Sequence, residues 1–99
     1  METGQRVLVV DDETSIRRYL RAALTAQNLT VYEAADGQEA LNAVLAHRPD
    51  LIILDLGLPD IDGIEVTRRL REWSQTPIII LSVREAEQDK ISALDAGAD

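Results

Sequence analysis

Short, wholly apolar runs alternate along this chain with longer stretches in which apolar residues recur every three or four positions. Val7-Leu8-Val9-Val10 has no polar position, which predicts a strand buried on both faces. From Glu13 to Gln27, Ile16, Tyr19, Leu20, Ala23 and Leu24 fall on one face of a helix. Leu29 to Ala34 is β-branched and more polar, as expected of a strand near a sheet edge. Asp36-Gly37 punctuates, and Gln38 to His47 repeats the helical spacing with Leu41, Val44 and Leu45 inward, until Arg48-Pro49 stops it. Leu51 to Leu54 is a third strand, again apolar throughout.

A loop from Asp55 to Gly63 follows, holding Gly57, Pro59 and Gly63. Asp62 with Glu65 three residues on has the form of a capping box, so a third helix starts there and runs to Trp73 or Ser74. Pro77 opens a fourth strand, Ile78 to Leu81, at a strand's first position, where proline is tolerated. A last helix is expected over Glu85 to Ala96, stopped by Gly97. The order β-α-β-α-β-α-β-α argues for a doubly wound parallel sheet joined by right-handed crossovers. Such sheets carry their chemistry at the carboxyl ends of the strands.

Composition narrows the classes. The 99 residues are 45% hydrophobic, enough for one domain with its own core. With no cysteine, disulfide scaffolds and cysteine zinc sites are excluded. No apolar run is long enough to span a bilayer, and the first residues lack the apolar stretch of a secretory signal, so a soluble cytoplasmic protein is expected. The net charge of −8 argues against direct nucleic-acid binding, which needs clustered Lys and Arg.

The strand ends are where the acidity departs from a merely solubilising role. Asp11 and Asp12 follow the first strand, Asp55 the third and Ser82 the fourth. If strands one and three are neighbours, as in the order 2-1-3-4, three carboxylates converge. Clustered carboxylates repel and call for a hard divalent cation; Mg²⁺ needs only a few protein oxygens plus water. One carboxylate is then free to act as a nucleophile and form an acyl phosphate, with the Ser82 hydroxyl available to a phosphoryl oxygen. Singly, each Asp has a plainer explanation as a turn residue or helix cap, and Asp12 could cap the first helix. Together, at one sheet edge, they make the plain explanation the weaker one.

These segments resemble the receiver domain of two-component response regulators. The resemblance rests on Val7 to Glu13, on Leu51 to Gly63, on Ile79 to Ser82 and on Ala93 to Asp99, in that order. The Asp-Leu-Gly-Leu-Pro-Asp segment is similar to KdpE-type regulators of the OmpR/PhoB winged-helix subclass. The resemblance implies a flavodoxin-like (CheY-like) α/β fold and a set of roles. Asp55 would be the phosphoacceptor, Asp12 a direct Mg²⁺ ligand and Asp11 its partner in the acid pocket. Gly57 would lend its backbone carbonyl to the metal, and Ser82 would be the switch hydroxyl. Val83 stands where the family more often has Ala or Gly. A sensor histidine kinase would be the donor, and a DNA-binding domain of a fuller protein the output.

Receivers continue past Gly-Ala-Asp into a fifth strand, bearing an aromatic residue and a Lys-Pro pair, and then a fifth helix. This sequence stops at Asp99, and its one lysine, Lys90, lies on the expected fourth helix. The expectation is therefore one receiver domain over residues 1–99, with strand order 2-1-3-4 and the fifth strand and helix absent. Ile78 to Leu81 would then be an apolar edge, and an edge-paired or domain-exchanged homo-oligomer is expected, checked by molecular size in dilute solution.

Other residues read more plainly. His47 is a solvated residue at a helix C-terminus, where the dipole favours it, and Trp73 is packing at a helix end. Arg17, Arg18 and Arg21 form a solvated helix face or a contact for a kinase. Arg68, Arg69 and Arg71 are not a nucleic-acid patch. Two other functions compete. An aspartyl phosphatase would usually carry a second Asp two residues after the first, where this chain has Gly57. A phosphorylation-independent interaction module would leave the acid pocket without a purpose.

Overall fold

The structure, a computed structural model, describes residues 5–81 and 97. Four strands alternate with three helices: β1 (Arg6–Val10), α1 (Thr14–Thr25), β2 (Thr30–Ala34), α2 (Gly37–His47), β3 (Leu51–Leu54), α3 (Gly63–Arg71) and β4 (Ile78–Ile80). The strands form one parallel sheet in the order β2-β1-β3-β4, the order on which convergence of the carboxylates depends. The expected last helix, with Lys90, Val83 and Ser82, lies outside the described residues.

Helix ends follow from local hydrogen bonding. Asp36 caps α2 by accepting from the Glu39 N–H at 2.8 Å, and Asp62 caps α3 by accepting from the Glu65 N–H at 3.0 Å. The Asp62 box is only half formed, because the Glu65 carboxylate turns to Arg68 and Arg69 instead of reaching back. Arg48 closes α2 in the left-handed conformation at φ 47°, donating its N–H to Val44. Helix α1 ends at Thr25, two residues before the expected limit. The Thr25 hydroxyl bonds back to the Arg21 carbonyl, and Asn28 at φ 66° turns the chain toward β2.

The two sheet faces are covered unequally. Leu8, Val10, Ile52, Leu54 and Ile78 pack with α2 and α3 side chains such as Ala40, Val44, Val66 and Leu70 in the main core. Each fully buried aliphatic side chain there contributes about 1.5–3 kcal/mol. On the opposite face Val7, Val9 and Val31 meet Leu20 and Leu24 of α1 in a smaller cluster. No residue of α1 is fully buried, and Tyr19, expected inward, is 72% exposed. Leu45, also expected inward, is 63% exposed. In both helices the apolar stripe is wider than the surface that covers it. Ile79 of the β4 edge is half exposed as well.

Candidate functional site

Register builds the site. Val10 of β1 is opposite Leu54 of β3, so the residues that follow, Asp11 and Asp55, leave neighbouring strands side by side. The Asp55 N–H donates to the Val10 carbonyl at 2.9 Å, and the Asp11 N–H to Ala34 of β2 at 3.1 Å. Both backbones are thus still held by the ladder where the carboxylates begin. One carboxylate oxygen from each of Asp11, Asp12 and Asp55 lies within 4.8 Å of the other two. Asp11 is buried, Asp55 half-buried and Asp12 exposed.

The electrostatics are unfavourable without a cation. Burial pushes the Asp11 carboxyl above its ordinary range, a hydrogen bond from the Glu13 N–H opposes this, and the charges of Asp55, Asp12 and Glu13 add to the upward push. Among the described residues no Lys or Arg side chain pairs with any of the three carboxylates. Asp12 does not cap α1. Glu13 occupies the cap position without a side-chain bond, and Asp11 accepts from the Glu13 N–H at 2.8 Å. That leaves Asp12 free to face the cluster. Hard, anionic oxygens in this number suit a divalent cation of the Mg²⁺ type.

The loop after β3 is pinned from both sides. Leu56 and Leu58 are buried in the main core, so the exposed Gly57 between them is fixed by its neighbours. Asp60 ties the loop to α2, its two oxygens accepting from Gly37 at 2.7 Å and Gln38 at 2.9 Å. Partial desolvation pulls the Asp60 carboxyl upward, but these N–H groups, together with the backbone of Ile61 and of Asp60 itself, hold the carboxyl below its ordinary range. Gly63 closes the loop. Its N–H donates to Leu56 at 2.9 Å, and a Cβ there would stand 2.7 Å from the Asp55 carbonyl oxygen. A cavity of about 290 Å³ opens beside the carboxylates, lined by Asp11, Asp55, Ile16, Tyr19, Leu20 and Leu81.

The structure therefore brings Asp11, Asp12 and Asp55 together and places Gly57 in the adjoining loop, while Ser82 lies outside the described residues. Two contributors escaped the sequence reading. Asp60 was legible only as part of a motif, and nothing in its spacing shows that it reaches α2. Arg17, expected on a solvated helix face or at a kinase contact, donates to the Asp11 carbonyl at 2.6 Å. His47 is exposed in the last turn of α2, as expected, and also stacks on Tyr32 with ring centroids 3.9 Å apart.

Among the described residues, a parallel α/β sheet gathers three carboxylates at the ends of its two central strands, an arrangement able to hold a metal ion. Residues 7–99 match the response regulator receiver domain, and the chain belongs to that family. Receiver domains of response regulators are signalling modules. Among relatives, the KDP operon transcriptional regulatory protein KdpE of Escherichia coli is 58% identical over 93 residues, spanning 94% of this chain and 41% of that protein. The response regulator ArlR of Staphylococcus aureus is 45% identical over 94 residues, spanning 95% of this chain and 43% of that protein. The chain thus spans about two fifths of the length of the curated relatives it matches. Among solved structures, the chemotaxis response regulator CheY4 of Vibrio cholerae superposes with a TM-score of 0.90 at 36% identity, covering 97% of this chain and 82% of that one. The receiver domain of Francisella response regulator 1452 gives 0.89 at 33% identity, with 97% and 80% covered.

Proposed function

We propose that this chain is the phosphoryl-accepting switch of a two-component relay, with Asp55 as acceptor and Mg²⁺ as cofactor. The observation that carries the reading is the convergence of the Asp11, Asp12 and Asp55 oxygens at the carboxyl ends of adjacent strands. Asp11, Asp12 and Asp55 would hold the cation, with the Gly57 backbone carbonyl as a further donor. When bound, the cation offsets negative charge on the transferring group. A carboxylate oxygen of Asp55 attacks the phosphorus of a phosphohistidine on a sensor kinase. The new O–P bond forms as the P–N bond breaks, and its electron pair returns to the imidazole nitrogen. The product is an aspartyl phosphate. Ser82 is the hydroxyl proposed to hydrogen-bond a phosphoryl oxygen.

Catalysis by this chain is limited to its own phosphorylation and dephosphorylation, so it is not an enzyme acting on other substrates. The output is transcription through a DNA-binding domain of a longer protein, as the name of KdpE, a transcriptional regulatory protein, supports. A cytoplasmic setting belongs to the same proposal; among the described residues no helix is long and apolar enough to cross a membrane.

The test is incubation with acetyl phosphate, with and without Mg²⁺, followed by intact-mass measurement of the wild type and Asp55→Asn. One added phosphoryl group that needs Mg²⁺ and disappears in the variant is expected. Mg²⁺-independent or Asp55-independent labelling would contradict the reading. Cation binding without any labelling would favour the phosphorylation-independent module.

A further inference from the structure

Arg17 stands in the first turn of α1, and its guanidinium has three partners among the described residues. Its side chain is 15% exposed. Nη1 donates to the backbone carbonyl of Asp11 at 2.6 Å, Nε to the Glu33 carboxylate at 3.0 Å, and Nη2 lies 3.4 Å from the Thr14 hydroxyl. Glu33, on β2, also accepts from Arg21 of α1. One planar group therefore spans the edge strand, the start of α1 and the peptide that joins Asp11 to Asp12.

That peptide has two other restraints: the Asp11 N–H donates to Ala34, and the Asp11 carboxylate accepts from the Glu13 N–H, closing a turn across Asp12. Neither bond engages the Asp11 carbonyl itself, and Arg17 supplies that contact. The Asp11 carbonyl is the far end of the Asp11–Asp12 peptide plane, and rotating it swings the Asp12 Cα and carboxylate. A charged, bifurcated donor anchored on a second element resists that rotation better than a neutral one.

We infer that Arg17 is a positioning residue for the cation site, orienting Asp12 toward Asp55 through the Asp11 carbonyl while Glu33 orients Arg17. The inference rests on the proposed cation-dependent function. It assigns to Arg17 a role inside this domain that neither a solvated face nor a kinase contact requires. Outer-shell partners of this kind commonly change metal affinity by about 10–100-fold when removed.

Arg21 supplies the control, because it shares Glu33 but does not touch Asp11 in the described hydrogen bonds. Mg²⁺ alone is titrated calorimetrically into the full chain and into Arg17→Gln, Arg17→Lys and Arg21→Gln, with thermal melts of each. Arg17→Gln should weaken the Mg²⁺ dissociation constant by about tenfold, near the lower end for such partners. Arg17→Lys, which keeps the charge and one donor, should fall between it and the wild type, while Arg21→Gln stays within about twofold of the wild type. If Arg17→Gln melts too early to titrate, Arg17→Lys carries the comparison with Arg21→Gln alone. Equal cation affinities in the Arg17 and Arg21 variants would overturn the inference while leaving the cation reading standing. A wild type that binds no Mg²⁺ would overturn both.

Discussion

Glu33 projects from the outer side of β2 and holds two arginines of α1 at once. The Arg21 hydrogen bond is the largest influence on its carboxyl, desolvation opposes it, and Arg17 adds to it; the net effect holds Glu33 below its ordinary 4.5. A carboxyl with a depressed folded value contributes stability that is present above the unfolded value and is lost as pH falls through the folded one. Glu33→Gln should therefore be less stable than the wild type at neutral pH, by under about 1 kcal/mol because the pair is partly exposed. The gap should close in acid below the folded value. Melting curves across pH check this, and a gap that stays constant from neutral pH into acid would contradict it. At this scale the sequence was half legible. It shows acids at strand ends, but not that Arg17 reaches a backbone carbonyl six positions back, since a carbonyl contact leaves no residue-type signature.

The loop between β3 and α3 is the element on which the site depends most, because it carries Asp55 and Gly57 and must turn directly into α3. The turn is tight enough that a methyl group at Gly63 would meet the Asp55 carbonyl at 2.7 Å and the Leu56 Cα at 2.8 Å, both backbone atoms with nowhere to go. Gly63→Ala should cost about 1–3 kcal/mol, the usual range for forced overpacking. It should also weaken Mg²⁺ binding by displacing the Asp55 loop. Denaturant unfolding with and without Mg²⁺ tests both parts, and a variant as stable as the wild type would show that the loop relaxes freely. The strands were the most legible elements. Val7 to Val10 and Leu51 to Leu54 are apolar at every position because both faces of a central parallel strand are covered. Helix faces were less legible. Periodicity found the stripes containing Tyr19 on α1 and Leu45 on α2, but not how much of each neighbouring elements cover.

For the whole molecule, topology explains why the acids matter. Placing β1 beside β3 sets Asp11 and Asp55 next to each other although 44 positions separate them in the chain. The 2-1-3-4 order was legible from strand–helix alternation joined with the family resemblance, and the sheet has it. The net charge of −8 is compatible with this organisation, since charge repelled within the pocket is what a divalent cation would neutralise.

The central claim is that Asp55, and neither Asp11 nor Asp12, receives the phosphoryl group. Borohydride reduces an aspartyl phosphate to homoserine, so the most direct measurement is reduction of the chain after acetyl phosphate and Mg²⁺ treatment, followed by fragment-ion sequencing. Homoserine at position 55 alone, and only when Mg²⁺ was present, is the predicted result. Homoserine at position 11 or 12, or at 55 regardless of the cation, would contradict the account.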